Sequence, residues 1–319
     1  MHPVYHLAYL LALSLVVSGC NSNAEKTPSI EWNVKAIELT ATPFFPQSQY
    51  QCGPASLATV LNASGLNTDP ATLAAEVYIP DRKGTLQVEM IAAVRRHGRV
   101  PYEIDSNLQS IMDQLEHELP VLVLLNLGVS ALPVYHYAVV MGYESDSDSF
   151  IMRSGEDYRL LMSRLRFLSA WSKPGSWALA VPQIGKLPAK VNVERFLSSV
   201  IALESVGQWQ AAQQNYLTVL GKWPDNTLAR FGLANTLRTE GKLTEAADQY
   251  SQVLKQDASH KPARNNLADT LLLLGRCDAA MSVLEPALIN DISDSGIDKA
   301  VKTTRTEIME ACPDKPAMH

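Results

Sequence analysis

The chain has 319 residues, 46% hydrophobic and 19% charged, a globular composition long enough for about two domains. A net charge of -6, with no run of Lys or Arg, argues against nucleic acid or an anionic membrane surface as a partner, because both call for a clustered basic footprint. No GxxxxGK[ST] phosphate loop, HExxH or Cys/His cluster at zinc spacing occurs, so no metal or other cofactor is called for.

The chain opens on MHPVYHLAYLLALSLVVSGC, whose apolar run from Leu7 to Val17 is too short for a permanent span and is followed by small residues, as in a secretory signal. Val17-Ser18-Gly19-Cys20 resembles a bacterial lipobox, in which the cysteine is diacylated and becomes the first mature residue. That resemblance implies a signal peptide over 1–19, a lipid on Cys20 and attachment to a membrane through acyl chains. Asn21, not being aspartate, implies sorting to the outer membrane, with the protein facing the periplasm. The polar stretch over 20–37 then reads as the tether.

In QYQCGPASLATVL, the residues Leu57, Val60 and Leu61 have helical spacing, and Pro54 suits a first turn, so a helix over 55–62 is expected with Cys52 at its N-terminus. There the helix dipole and free N–H groups favour the nucleophilic thiolate, and Gly53 would leave room for a substrate backbone beside the sulfur. TDPATLAAEVYI reads as a helix capped by Thr68 or Asp69. His97 falls at the end of IAAVRRHG, a structural position, and His117 falls among acidic residues at the end of IDSNLQSIMDQLEHEL, a solvated one. PVLVLLNLG is a buried strand, and PVYHYAVVMGYE an apolar strand with His136 at its beginning, where an imidazole can face a cleft. The strand FIMRSG, a helix near Ser163 to Ala170 and a closing strand WALAVP follow, with Trp171 and Trp177 as packing residues. Helices preceding an antiparallel sheet indicate an α+β domain over 38–182, and 183–192 is the expected linker.

A 34-residue period then takes over: Gly207, Gly241 and Gly275, Ala212, Ala246 and Ala280, and Leu203, Leu237 and Leu271 each keep that step. Glycine at the turn between paired helices and alanine at their close contact resemble the tetratricopeptide repeat, an all-α solenoid, with units over 193–226, 227–260 and 261–294. The resemblance implies a groove that binds protein partners. Residues 295–319 suit a capping helix and tail. A cap folding back brings Cys312 near Cys277, where an oxidising compartment allows a disulfide; two buried thiols are the alternative.

With Cys20 lipidated and Cys277 paired with Cys312, Cys52 is left as a lone thiol in an exported chain, which marks it for reactivity. The segments Gln-x(4)-Cys-Gly-Pro-Ala-Ser-Leu-Ala from Gln47, KGTLQVEMIAAVRRHG, PVLVLLNLG and HYAVVMGYE, in that order, resemble the bacteriocin-processing cysteine peptidase domain of the papain-like superfamily. The resemblance implies cleavage of protein or peptide substrates by a thiolate–imidazolium pair, with Cys52 as nucleophile, His136 as base and then acid, and Gln47, or Gln49 in competition, as oxyanion donor. The family orients its histidine with Asp or Asn on the next strand; here Ser154 holds that position, with Asp157 as the alternative. Two other readings stay open: an inactive relative that only grips peptides, and a thiol amidase or acyltransferase.

Overall fold

The computed structural model describes residues 34–47, 51–288 and 295–312. The expected signal segment, Cys20, most of the expected tether, Gln49 and the end of the third expected repeat lie outside the described residues. From Lys35 onward the described residues belong to one compact unit.

The first part runs β1 (Ile37–Glu38), α1 (Cys52–Ala63), α2 (Pro70–Val77), α3 (Gln87–Arg96), β2 (Tyr102–Glu103), α4 (Leu108–Glu116), β3 (Val121–Asn126), β4 (Tyr135–Glu144), β5 (Ser149–Ser154), β6 (Asp157–Ser163), α5 (Arg164–Ser172) and β7 (Ala178–Ala180). The antiparallel sheet is ordered β2-β7-β3-β4-β5-β6, with β1 also paired to β4. Every residue of β3 is buried, as a strand covered on both faces requires: α1 and α4 pack against it, and so does α5. Leu57, Leu61, Leu73, Met90 and Val94 from the helices meet Leu122, Tyr137, Val139 and Leu179 from the sheet in one core. At about 2 kcal/mol for each large apolar side chain removed from water, this core fixes α1 against β3 and β4.

Local signals explain most boundaries. The Asp69 carboxylate accepts from the N–H groups of Ala71 and Thr72 and so caps α2, while the Asn107 side chain accepts from Ser110 N–H and caps α4. The strand β6 departs from the sequence expectation. Its residues DYRLLMS are almost all exposed except Met162, so this edge strand carries no legible alternation of apolar and polar positions.

The second part is all helical: α6 (Val193–Glu204), α7 (Trp209–Lys222), α8 (Thr227–Thr239), α9 (Leu243–Gln256), α10 (Lys261–Leu273), α11 (Cys277–Leu288) and α12 (Gly296–Ala311). The repeated alanines Ala212, Ala246 and Ala280 are fully buried at the helix contacts. Gly207, Gly241 and Gly275 turn between paired helices with φ of +75°, +76° and +71°, the left-handed region that glycine enters without steric cost. Helix α12 packs on α10 and α11; Cys277 and Cys312 form a disulfide with a Cα–Cα distance of 5.9 Å, and Lys261 Nζ pairs with the buried Asp298 at 2.7 Å.

The segment expected to be a linker is pinned. The Gln114 side chain accepts from Ala189 N–H at 3.0 Å and donates to Ala189 O at 3.2 Å, and Asn192 N–H donates to Tyr102 Oη at 2.9 Å. Beyond it, Gln208 Nε2 donates to Arg96 O at 2.6 Å and Arg195 pairs with Asp105 at 2.8 Å. The buried main-chain groups of Ala189 thus find partners, and α6 of the first repeat packs on α3 and β2.

Candidate active site

Cys52 is the first residue of α1, half-buried, and the free cysteine among the described residues. Helix α1 begins three residues earlier than the apolar spacing alone suggests, so the sulfur sits on the helix rather than before it. Gln47, Cys52 and His136 line one cleft of about 800 Å³, together with Thr85, Tyr137 and Glu156. The fold brings them together from three places: the strand-to-helix approach before α1, the helix start itself, and the first residues of β4 beside it.

His136 lies opposite Leu125 of β3, and its Nε2 is 2.9 Å from Ser154 Oγ at the end of β5. Continuing the Val139–Arg153 register places Ser154 two positions along from the residue facing His136, which puts both side chains on one face within diagonal reach. Ser154 is buried, whereas Asp157 is exposed and pairs with Ser154 across the β5–β6 turn, one strand further from the imidazole. With Nε2 engaged by a hydroxyl, Nδ1 is the nitrogen left to exchange a proton. Burial pushes the His136 pKa below its ordinary value, so the imidazole favours its neutral, proton-accepting form.

Gln47 is held by its own N–H, which donates to Gly155 O at 3.1 Å, so the residue after Ser154 anchors the proposed oxyanion donor. Its competitor Gln49 lies outside the described residues. The space expected beside Gly53 is not open to substrate. A Cβ built there would lie 2.4 Å from Thr85 Oγ1 and 2.6 Å from Thr85 Cβ, so glycine is needed to let the loop before α3 close over the start of α1.

Tyr137 lines the cleft as well, a residue the sequence expectations did not single out. Its hydroxyl donates to Thr85 O at 3.3 Å, and its ring packs edge-on against Trp177 at 6.0 Å. Burial first, and then the charge of nearby Cys52, push its phenol well above the ordinary range, so it stays a neutral donor. The His-Tyr pair at the head of an apolar strand was the available signal, since both residues line the cleft where β4 begins. Leu86, Val134 and Tyr135, all exposed, add apolar walls to the cleft.

His97 and His117 cap the C-termini of α3 and α4, away from this cleft, and His97 Nε2 meets Glu76 Oε1 at 2.9 Å.

Residues 39–158 match the Peptidase_C39-like family, and residues 199–260 and 237–294 match two tetratricopeptide-repeat families. Among solved structures, a C39-like peptidase from Bacillus anthracis is 16% identical with a TM-score of 0.40, over 49% of this chain and 100% of that one. The peptidase domain of Streptococcus ComA, a bifunctional ABC transporter of a quorum-sensing pathway, is 26% identical with a TM-score of 0.37, over 44% of this chain and 99% of that one. No curated protein matches.

Proposed function

From a Peptidase_C39-like domain joined to tetratricopeptide repeats, we propose an envelope-anchored cysteine peptidase whose repeats bind protein partners or substrates. The observation that carries this reading is the convergence of Cys52, His136 and Gln47 on one cleft, with the imidazole held by Ser154. In the proposed reaction His136 Nδ1 takes the Cys52 proton and the sulfur attacks the scissile carbonyl, forming a C–S bond. The carbonyl oxygen becomes an oxyanion that Gln47 and the Cys52 N–H stabilise, a contribution of about 3 kcal/mol in comparable sites. Collapse breaks the C–N bond as His136 returns the proton to the leaving amine. Water, deprotonated by His136, then hydrolyses the thioester.

The lipobox-like Val17–Cys20 supports anchoring through a lipid on Cys20 at the outer membrane, with the enzyme facing the periplasm. A comparison of envelope-protein N-termini between cells carrying the wild type and Cys52→Ala tests the proposal. Termini that vanish only in the variant are expected; identical sets would overturn it.

One observation favours a second reading, a peptide-gripping scaffold of low activity: the partner of His136 is a neutral hydroxyl, which supplies no charge to an imidazolium.

A further inference from the structure

Arg153 is 2% exposed, next to Ser154 in β5, and belongs to none of the cleft-lining groups described above. Its Nε and Nη2 donate to Thr42 O at 3.2 and 2.7 Å, Nη2 reaches Thr40 O at 3.5 Å, and Nη1 donates to Tyr158 O. The guanidinium plane lies 3.7 Å from the centroid of the Tyr158 ring and 6.0 Å from that of Phe44, and those two rings meet edge-on at 5.5 Å. Burying a cation is costly, and here main-chain carbonyls and aromatic faces offset that cost. The segment so clamped runs through Thr40, Thr42 and Phe44 directly into Gln47, whose N–H is taken by Gly155 O. Three consecutive residues, Arg153 to Gly155, thereby fix the approach to Gln47 at two points and the His136 ring at a third.

We propose that Arg153 is a positioning residue for the oxyanion hole: its fork holds the 40–44 segment so that Gln47 is aimed at the carbonyl attacked by Cys52. This rests on the peptidase reading. Gln47 carries little local structure of its own and sits outside any helix or strand, so its aim depends on such anchors. A misplacement of the order of 1 Å in such a donor costs about a hundredfold in rate.

The test uses the full chain and two small probes of Cys52. p-Nitrophenyl acetate acylates the thiol through a tetrahedral oxyanion: the C–S bond forms, the ester C–O bond breaks and p-nitrophenolate leaves with the electron pair. Iodoacetamide alkylates the same thiol by displacement of iodide, with no oxyanion to stabilise. Arg153→Met is expected to slow acylation by about tenfold or more while alkylation, including its pH profile, stays within about twofold of wild type. In the Gln47→Ala background the same substitution should change acylation no further, because both remove one contribution. Should Arg153→Met fail to fold, Arg153→Lys, which keeps the cation but loses the planar fork, gives the same comparison at smaller amplitude. Equal losses in both probes, or losses that multiply in the double variant, would overturn the inference while leaving the peptidase reading intact. A wild-type Cys52 acylated no faster than a small free thiol overturns both.

Discussion

His136 Nε2 and Ser154 Oγ lie 2.9 Å apart, so a hydroxyl holds the position in which a carboxylate would steady an imidazolium. A neutral hydrogen bond contributes about 1 kcal/mol net and a charge-assisted one about twice that. Ser154→Ala should therefore slow acylation of Cys52 by about threefold to tenfold. Ser154→Asp should raise the His136 pKa and speed the reaction by a similar factor. Rates of p-nitrophenolate release, measured across pH, check both directions.

Burial lowers the His136 pKa in the folded protein, so the unfolded chain binds this proton more readily. The contribution to stability is fully present above the ordinary value of 6.5 and is lost as pH falls through the depressed folded value. Urea unfolding between pH 7.5 and 5, a range chosen to bracket the group at about 6.5, should show stability falling on the acid side. His136→Gln should flatten that slope. An identical slope in the variant would mean that other groups set the acid limit.

Gly53→Ala places a methyl where Thr85 Oγ1 already lies, 2.4 Å from the built Cβ. Overpacking of this kind costs about 1–3 kcal/mol. Thr85→Gly in the same chain, which removes both atoms that clash, should restore most of the loss of melting temperature. Alkylation of Cys52 reports whether the start of α1 has shifted.

The Cys277–Cys312 disulfide closes a separation of 35 residues around α11 and α12. A loop of that length stabilises by about 3–4 kcal/mol in the chain-entropy account. Cys312→Ala should loosen α12, seen as faster hydrogen exchange over Gly296–Ala311, without changing the alkylation rate of Cys52, which lies in the other domain.

Gln114 satisfies both main-chain groups of Ala189. Gln114→Ala leaves a buried N–H and C=O without those partners, at about 1–3 kcal/mol for each. Limited proteolysis should then cut within 183–192 in the variant and spare the wild type.

The sequence by itself determined what depends on local chemistry and period. The 34-residue step placed the paired helices of the repeats, because every unit must bury the same alanine and turn at the same glycine. Proline two residues after Cys52, with Leu57, Val60 and Leu61 behind it, marked the start of α1, and the apolar run after His136 marked β4. Only the tertiary structure decided what depends on distance through space. Ser154 rather than Asp157 meets the imidazole because pairing of β5 with β4 puts Ser154 diagonally beside His136 and leaves Asp157 a strand further out. Thr85 fills the space at Gly53, Arg153 reaches Thr42 across 111 positions, and Gln114 reaches Ala189 across 75. Contacts at such separations leave no periodic trace in a single chain; they follow from how helices and strands, each legible alone, bury one another's apolar faces.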